Sequence, residues 1–186
     1  IMDCVENEAI KSIFNASGMN TPDGMAVVWL LKLFGYDHIS RVYGPDLLLA
    51  ACEVGVEKGW RHYFYGGSED VTVELVNRLE STFPGLQIAG LHSPPFRTLT
   101  ADEHAEDLTR IKQSGADIVW IGLGSPRQEI WMHENLEKLE PAVLLGVGAA
   151  FDFLSGNKQQ APKWIQRSGM EWFYRLLQEP GRLWKR

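Results

Sequence analysis

Apolar residues recur at helical spacing over residues 3–15, and again from the Thr21-Pro22-Asp23-Gly24 turn to Phe34, where Gly35 stops the run. Pro45 suits the first turn of a third helix, which reaches Lys58 and ends at Gly59. Residues 62–65 then read as a strand running into Gly66-Gly67, with a helix over 70–83 behind it. Strand-like runs at 86–91, 117–121 and 142–145 follow, separated by helical patterns near 101–113 and 126–139. Strands that alternate with helices need crossover connections. The pattern therefore predicts an α/β fold, Rossmann-like, with a mostly parallel sheet, helices on both faces and a helical C-terminal appendage. In such sheets ligands sit beyond the carboxyl ends of the strands.

At 186 residues with 45% hydrophobic content, the chain can bury the core of one domain, taken as residues 1–156, ahead of a tail over 157–186. The longest apolar run, around residues 29–34, falls far short of the roughly 20 residues a membrane-spanning helix needs. No basic-then-apolar leader opens the chain, and a soluble protein is expected. Cys4 and Cys52 show no metal spacing and are too few for a disulfide scaffold, which suits a reducing cytoplasm. The chain opens on Ile1, so either an upstream segment precedes it or Met2 is the start with one residue before it.

Charge changes the picture of the tail. The formal net charge is -6, yet residues 157–186 hold Lys158, Lys163, Arg167, Arg175, Arg182, Lys185 and Arg186 against Glu171 and Glu179, which is +5 there and -11 elsewhere. Such asymmetry marks either an anionic partner, nucleic acid or a lipid headgroup surface, or merely a solvated helix face.

Three glycine turns fall at the expected carboxyl ends: Tyr65-Gly66-Gly67-Ser68, Gly122-Leu123-Gly124-Ser125 and Gly146-Val147-Gly148. Glycine lets backbone N–H groups approach a phosphate, and the helix N-terminus behind favours negative charge. One such turn is an ordinary strand-to-helix loop; three on one edge suit a diphosphate-sized ligand. Arg127 stands where the third glycine of G-x-G-x-x-G would fall, and no P-loop occurs, so dinucleotide oxidoreductases and P-loop NTPases lose ground.

Asp23 is either a cap for the helix beginning at Gly24 or a general base that takes a proton from an attacking hydroxyl. Glu129, in the first turn of a helix, is explained by the helix dipole and receives no catalytic role. Asp152, between Phe151 and Phe153, either caps locally or accepts hydrogen bonds from a ribose or sugar hydroxyl. No Asp-x-Asp pair is present, and the five histidines show no i, i+4 pairing, so neither a metal site nor a cofactor is expected. A leaving diphosphate would then be neutralised by arginines and backbone N–H groups, with Arg41, Arg127 and the tail arginines as candidates. There is no G-x-S-x-G elbow and no evident nucleophile for covalent catalysis.

Seven segments in order carry a family resemblance. They are Thr21-Pro22-Asp23-Gly24-Met25, residues 41–46 (Arg-Val-Tyr-Gly-Pro-Asp), Phe64-Tyr65-Gly66-Gly67, residues 122–129 (Gly-Leu-Gly-Ser-Pro-Arg-Gln-Glu), residues 146–152 (Gly-Val-Gly-Ala-Ala-Phe-Asp), Ala161-Pro162-Lys163-Trp164 and residues 171–180. The chain resembles the bacterial WecG/TagA/CpsF glycosyltransferases over essentially its whole length.

The resemblance implies inverting, metal-independent transfer of a sugar from a UDP-sugar donor to a polyprenyl-diphosphate-linked acceptor, by an enzyme peripheral on the inner face of the bacterial plasma membrane. The sugar would be N-acetylmannosamine or a related hexose or uronic acid, and family products feed teichoic acid, common antigen, capsule or exopolysaccharide. It makes Asp23 the base and gives Arg41, Gln128 and Asp152 substrate contacts. Arginines of the C-terminal appendage would close over the donor diphosphate near an anionic membrane surface, with Arg175 and Arg182 as candidates. The catalytic pair is thus Asp23 and Arg175. Substrate binding falls to Thr21, Arg41, Gly66, Gly67, Gly122, Gly124, Ser125, Gln128, Gly148, Asp152 and Arg182. No nucleic acid is expected as a partner, and a homo-oligomer stays open.

Two departures stand out. Many members begin with a strand carrying Thr-x-Asn, which nothing before Asp3 supplies, and many have Arg where this chain has Gln160. Two other readings remain: a related nucleotide-sugar enzyme such as an epimerase, separable by a hydride-transfer assay, and a non-catalytic nucleotide-sugar or lipid-binding module, which would bind donor without turnover.

Overall fold

The computed structural model describes residues 2–178. Their contacts divide into two compact units. The first holds the chain up to Asn20 together with Gly44–Lys158; the second holds Thr21–Tyr43 and the chain from Gln159 onward.

The first unit is built on a four-stranded, all-parallel sheet of order β2-β1-β3-β4. The strands are β1 (Arg61–Gly66), β2 (Gln87–His92), β3 (Ile118–Gly122) and β4 (Val143–Gly146). Between them run α5 (Glu69–Thr82), α6 (Ala101–Ser114) and α7 (Arg127–Leu139), preceded by α4 (Gly44–Lys58) and followed by the short α8 (Ala150–Leu154). Alternation along the central strands sorts the core into two layers. Phe64 and Trp120 point to one face and pack with Leu48 and Cys52 of α4, Leu75 and Leu79 of α5 and Phe151 of α8. Tyr63, Tyr65, Val119 and Ile121 point to the other and meet Ile111 of α6 and Trp131 and Leu139 of α7.

The N-terminal helix differs from expectation. The run over 3–15 is two helices, α1 (Met2–Glu6) and α2 (Glu8–Ala16), because Asn7 is extended and its side chain accepts hydrogen bonds from the N–H groups of Ala9 and Ile10. An asparagine that can cap is more stable as a boundary than inside a helix. Helix α6 starts on a capping box, in which Thr100 and Glu103 satisfy each other's backbone N–H groups.

Two buried polar groups brace the sheet. Tyr65 donates to Asp107 of α6 at 2.8 Å, and His92 at the end of β2 reaches the other carboxylate oxygen at 3.0 Å. On the opposite face, the Trp120 indole donates to Nδ1 of the fully buried His62, at 3.0 Å. Nε2 of His62 has no partner among the described residues and lies against Gly55, where a Cβ would stand 2.5 Å away.

Burial lowers the pKa of His62, partly opposed by Asp117. The unfolded chain therefore takes up a proton near pH 6.5 that the folded chain does not accept until lower pH. Stability should be full above about pH 6.5 and fall below it, by up to about 1.4 kcal/mol per pH unit. Urea midpoints at pH 7.5 and 5.5 test this: the drop should shrink in His62→Gln, and an equal drop in that variant would place the acid sensitivity elsewhere.

The second unit contains α3 (Met25–Leu33), α9 (Lys163–Arg167) and α10 (Glu171–Gln178). The C-terminal segment is thus helical but interrupted between α9 and α10, at Ser168-Gly169-Met170. A Cβ on Gly169 would strike the Trp29 ring at 2.5 Å, so this turn lies directly on α3. Among the described residues, no helix is long and apolar enough to cross a membrane.

Candidate active site

The candidate residues fall in both units. In the first, the strand order reverses direction between β1 and β3, and this is where doubly wound sheets leave a crevice for ligands. Gly66 and Gly122 end these two strands and stand opposite each other in the register. The Gly67 N–H donates to the Gly122 carbonyl at 3.2 Å, while the Thr72 hydroxyl donates to the Gly66 carbonyl at 2.7 Å. The first two glycine turns are thus bonded into one edge.

The third turn is tied to them by a side chain. Gln128, buried at the start of α7, accepts from the Gly148 N–H at 3.1 Å and donates to the Glu129 carboxylate at 3.0 Å. Gln128 thus positions the third turn with one N–H and one lone pair of its amide, and the Gly67 and Gly148 N–H groups have partners within the protein. Gly124, exposed Ser125 and exposed Arg127 stand at the mouth of α7.

Helix charges separate the three turns as anion sites. Behind the first turn, α5 opens with the carboxylates of Glu69 and Asp70, which oppose a phosphate. The turn after β3 leads into α7 with Arg127 as its first residue. Asp152 is occupied locally, accepting from Asn157 at 2.9 Å and pairing with Lys158 at 3.7 Å. Both readings of Asp152 stay available, since the carboxylate is only partly buried.

One residue set aside on sequence grounds has a different standing here. Oε2 of Glu129 is buried with no hydrogen-bond partner among the described residues, an expensive state for a carboxylate oxygen. The dipole explanation accounts for a solvated acid in a first turn, not for this one. The signal that could have found it is the adjacency Gln128-Glu129, in which one side chain orients the next.

In the second unit, the segments before and after α3 are pinned together by the Val42 N–H bond to the Pro22 carbonyl, at 3.0 Å, and there Asp23 and Arg41 meet. The Arg41 guanidinium donates through Nε to the Asp23 carbonyl and through Nη2 to Asp23 Oδ1 at 3.2 Å and Glu171 Oε2 at 2.6 Å. It also lies 4.3 Å from the Tyr43 ring centroid. Burial would lower the Arg41 pKa, but Glu171 and then Asp23 outweigh it, leaving Arg41 raised and permanently charged. Asp23 keeps a side chain 59% exposed, against 16% for Arg41 and 13% for Glu171. The N-cap of α3 is Gly24, so Asp23 stands one residue before the cap position. Exposed Thr21 precedes it by two positions.

Glu171 was not a sequence candidate, since only the fold brings it 130 positions along the chain to Arg41. Arg175 falls on α10, with its side chain outside what the structure describes, and Arg182 lies outside the described residues. Burial pushes the Cys52 thiol up to about 12, which removes it as a nucleophile at neutral pH.

The ordered set of motifs matches a known group across its whole length: a profile described as "Glycosyl transferase WecG/TagA/CpsF family" covers residues 1–186. The chain belongs to this family of glycosyltransferases. It is 33% identical over 184 residues to an N-acetylglucosaminyldiphosphoundecaprenol N-acetyl-beta-D-mannosaminyltransferase of Bacillus spizizenii, a match covering 99% of this chain and 69% of that protein. A protein of the same name from Bacillus subtilis is 34% identical over 178 residues, covering 94% of this chain and 66% of its own length. The chain thus spans about two-thirds of the length of these relatives.

Proposed function

We propose that this glycosyltransferase moves a sugar, N-acetylmannosamine or a related hexose or uronic acid, from a UDP-sugar to a polyprenyl-diphosphate-linked saccharide, with inversion and without a metal. The names of its relatives support the lipid-linked acceptor. The observation that carries the catalytic part is the Asp23–Arg41 pair, an exposed carboxylate whose Oδ1 and backbone carbonyl both accept from the Arg41 guanidinium.

In this reading Asp23 accepts the proton of the acceptor hydroxyl as that oxygen bonds to the anomeric carbon. The bond from that carbon to the donor diphosphate breaks, UDP departs with the electron pair, and one displacement inverts the configuration. Arg41 positions the base. The diphosphate is assigned to the turn after β3, with the α7 N-terminus and Arg127 carrying the attraction. The tail arginines Arg175 and Arg182 are assigned to the leaving group. The decisive assay is a panel of UDP-sugars against a synthetic lipid-diphosphate sugar; donor binding without turnover on any acceptor would overturn the proposal.

Metal independence rests on the donor chemistry of the chain. No Asp-x-Asp pair exists in the sequence, and arginines are available instead. Turnover should be unchanged in excess chelator. Loss of activity restored by Mg²⁺ or Mn²⁺ would sink that part.

A peripheral place on the inner face of the membrane fits the lipid acceptor and the C-terminal segment. Trp164, Trp172 and Leu177 on α9 and α10 are each about two-thirds exposed rather than packed away. Such aromatic and basic helices suit the headgroup region of an anionic bilayer.

A further inference from the structure

Helix α3 carries a surface that the reaction does not use. Leu30, Leu33 and Phe34 share one side at i, i+3 and i+4 spacing, and Leu33 and Phe34 are 81% and 69% exposed. Trp29 and Tyr36 beside them are half exposed. Between Met25 and Tyr36 the only charged residue is Lys32, so no carboxylate interrupts this face. A lone exposed leucine is ordinary, but a contiguous group of this kind marks a contact surface.

Its chemistry selects the occupant. Trp29 touches the turn between α9 and α10 at Gly169, so the α3 face lies beside the segment that exposes Met170 and Trp172. That segment belongs to the part of the chain with net +5, while the remainder carries -11. An apolar face that carries tryptophan, phenylalanine and tyrosine, has lysine as its only charge and adjoins a segment of basic sequence matches the interfacial zone of an anionic bilayer. A protein partner would need no such charge separation.

We infer that α3 is a second membrane-contact element, inserting Leu30, Leu33 and Phe34 into the headgroup region beside the C-terminal helices. The inference rests on the membrane reading above and extends it to a helix that no tail arginine reaches in sequence. It makes the segment bearing Asp23 itself part of what docks on the lipid surface, since α3 begins two residues after that carboxylate.

The test is co-sedimentation of the full chain with vesicles of phosphatidylglycerol and phosphatidylcholine, comparing the unmodified protein with the double variant Leu33→Asp, Phe34→Asp. Both positions are exposed, so circular dichroism should hardly change, and Tm should fall by no more than the few degrees that two carboxylates cost at a helix C-terminus. Partitioning should fall at least tenfold in the variant, and pure phosphatidylcholine should bind the unmodified protein much more weakly. Equal partitioning of variant and unmodified protein would overturn the role of α3 and leave the C-terminal helices alone on the membrane. Failure of the unmodified protein to bind anionic vesicles would overturn the membrane reading itself. If sedimentation velocity instead showed that the variant splits an oligomer while vesicle binding persists, the face would be a contact between copies of this chain, and the inference would fall.

Discussion

Replacing Asp23 with Asn is expected to lower turnover by roughly 100-fold or more while leaving the fold almost untouched. Asn retains Oδ1, so the Arg41 Nη2 bond at 3.2 Å and the Nε bond to the Asp23 carbonyl can both persist. The side chain is mostly exposed, and losing the charge of an exposed ion pair costs less than about 1 kcal/mol. What Asn cannot do is accept a proton. The measurement is kcat with a UDP-sugar and a lipid-diphosphate acceptor, alongside Tm. A loss of activity with unchanged Tm assigns the defect to chemistry; near-normal kcat at neutral pH would remove Asp23 as the base.

Gly66→Ala should cost the sheet unit about 3–5 kcal/mol of stability. Two effects add. Gly66 has φ +125°, which side chains rarely adopt, and its Cβ would stand 2.6–2.9 Å from the Gly122 carbonyl carbon, oxygen and Cα. Those are backbone atoms of the neighbouring strand and cannot rotate away. Relief requires β1 and β3 to separate at their carboxyl ends, which strains the Gly67 bond to the Gly122 carbonyl. Gly124→Ala is the control: φ is +77°, but nothing lies within 4 Å of its Cβ, so only conformational strain of roughly 1–2 kcal/mol applies. At about 2–4 °C per kcal/mol, Gly66→Ala should lower Tm by about 10 °C and Gly124→Ala by a few degrees. Equal shifts in the two variants would show that the close approach of the strands does not govern this edge.

Most elements were legible because their signals are short-range. The periods of 2 and 3.6, the stops at Gly35 and Gly59 and the glycine turns after 62–65 and 117–121 each depend on a few adjacent residues. They predicted the alternation of strands and helices, and the four parallel strands follow it within a residue or so. The break at Asn7 was missed because an apolar period runs through it, while the decision rests on one side chain turning back to two N–H groups. The motif residues were likewise visible, and the family resemblance they carry is matched along the whole chain.

The tertiary structure alone decided which of those residues are spent on each other. Gln128, a candidate substrate contact, also joins Gly148 to Glu129 through its amide; Glu129 looked like a helix-dipole acid, yet one of its oxygens is buried without a partner among the described residues. Glu171 had no role in the sequence until folding placed it 2.6 Å from Arg41, and residues 21–43 group with the chain beyond Gln159 rather than with the sheet they precede. The apolar run of α3 was legible as a helical period, but its exposure at Leu33 and Phe34 was not. By itself, then, the sequence determined periodicity, turns and the ordered motifs. Burial, partnership and exposure arise from packing between segments far apart in the chain, and hydrophobic periodicity says that a face is apolar without saying what covers it.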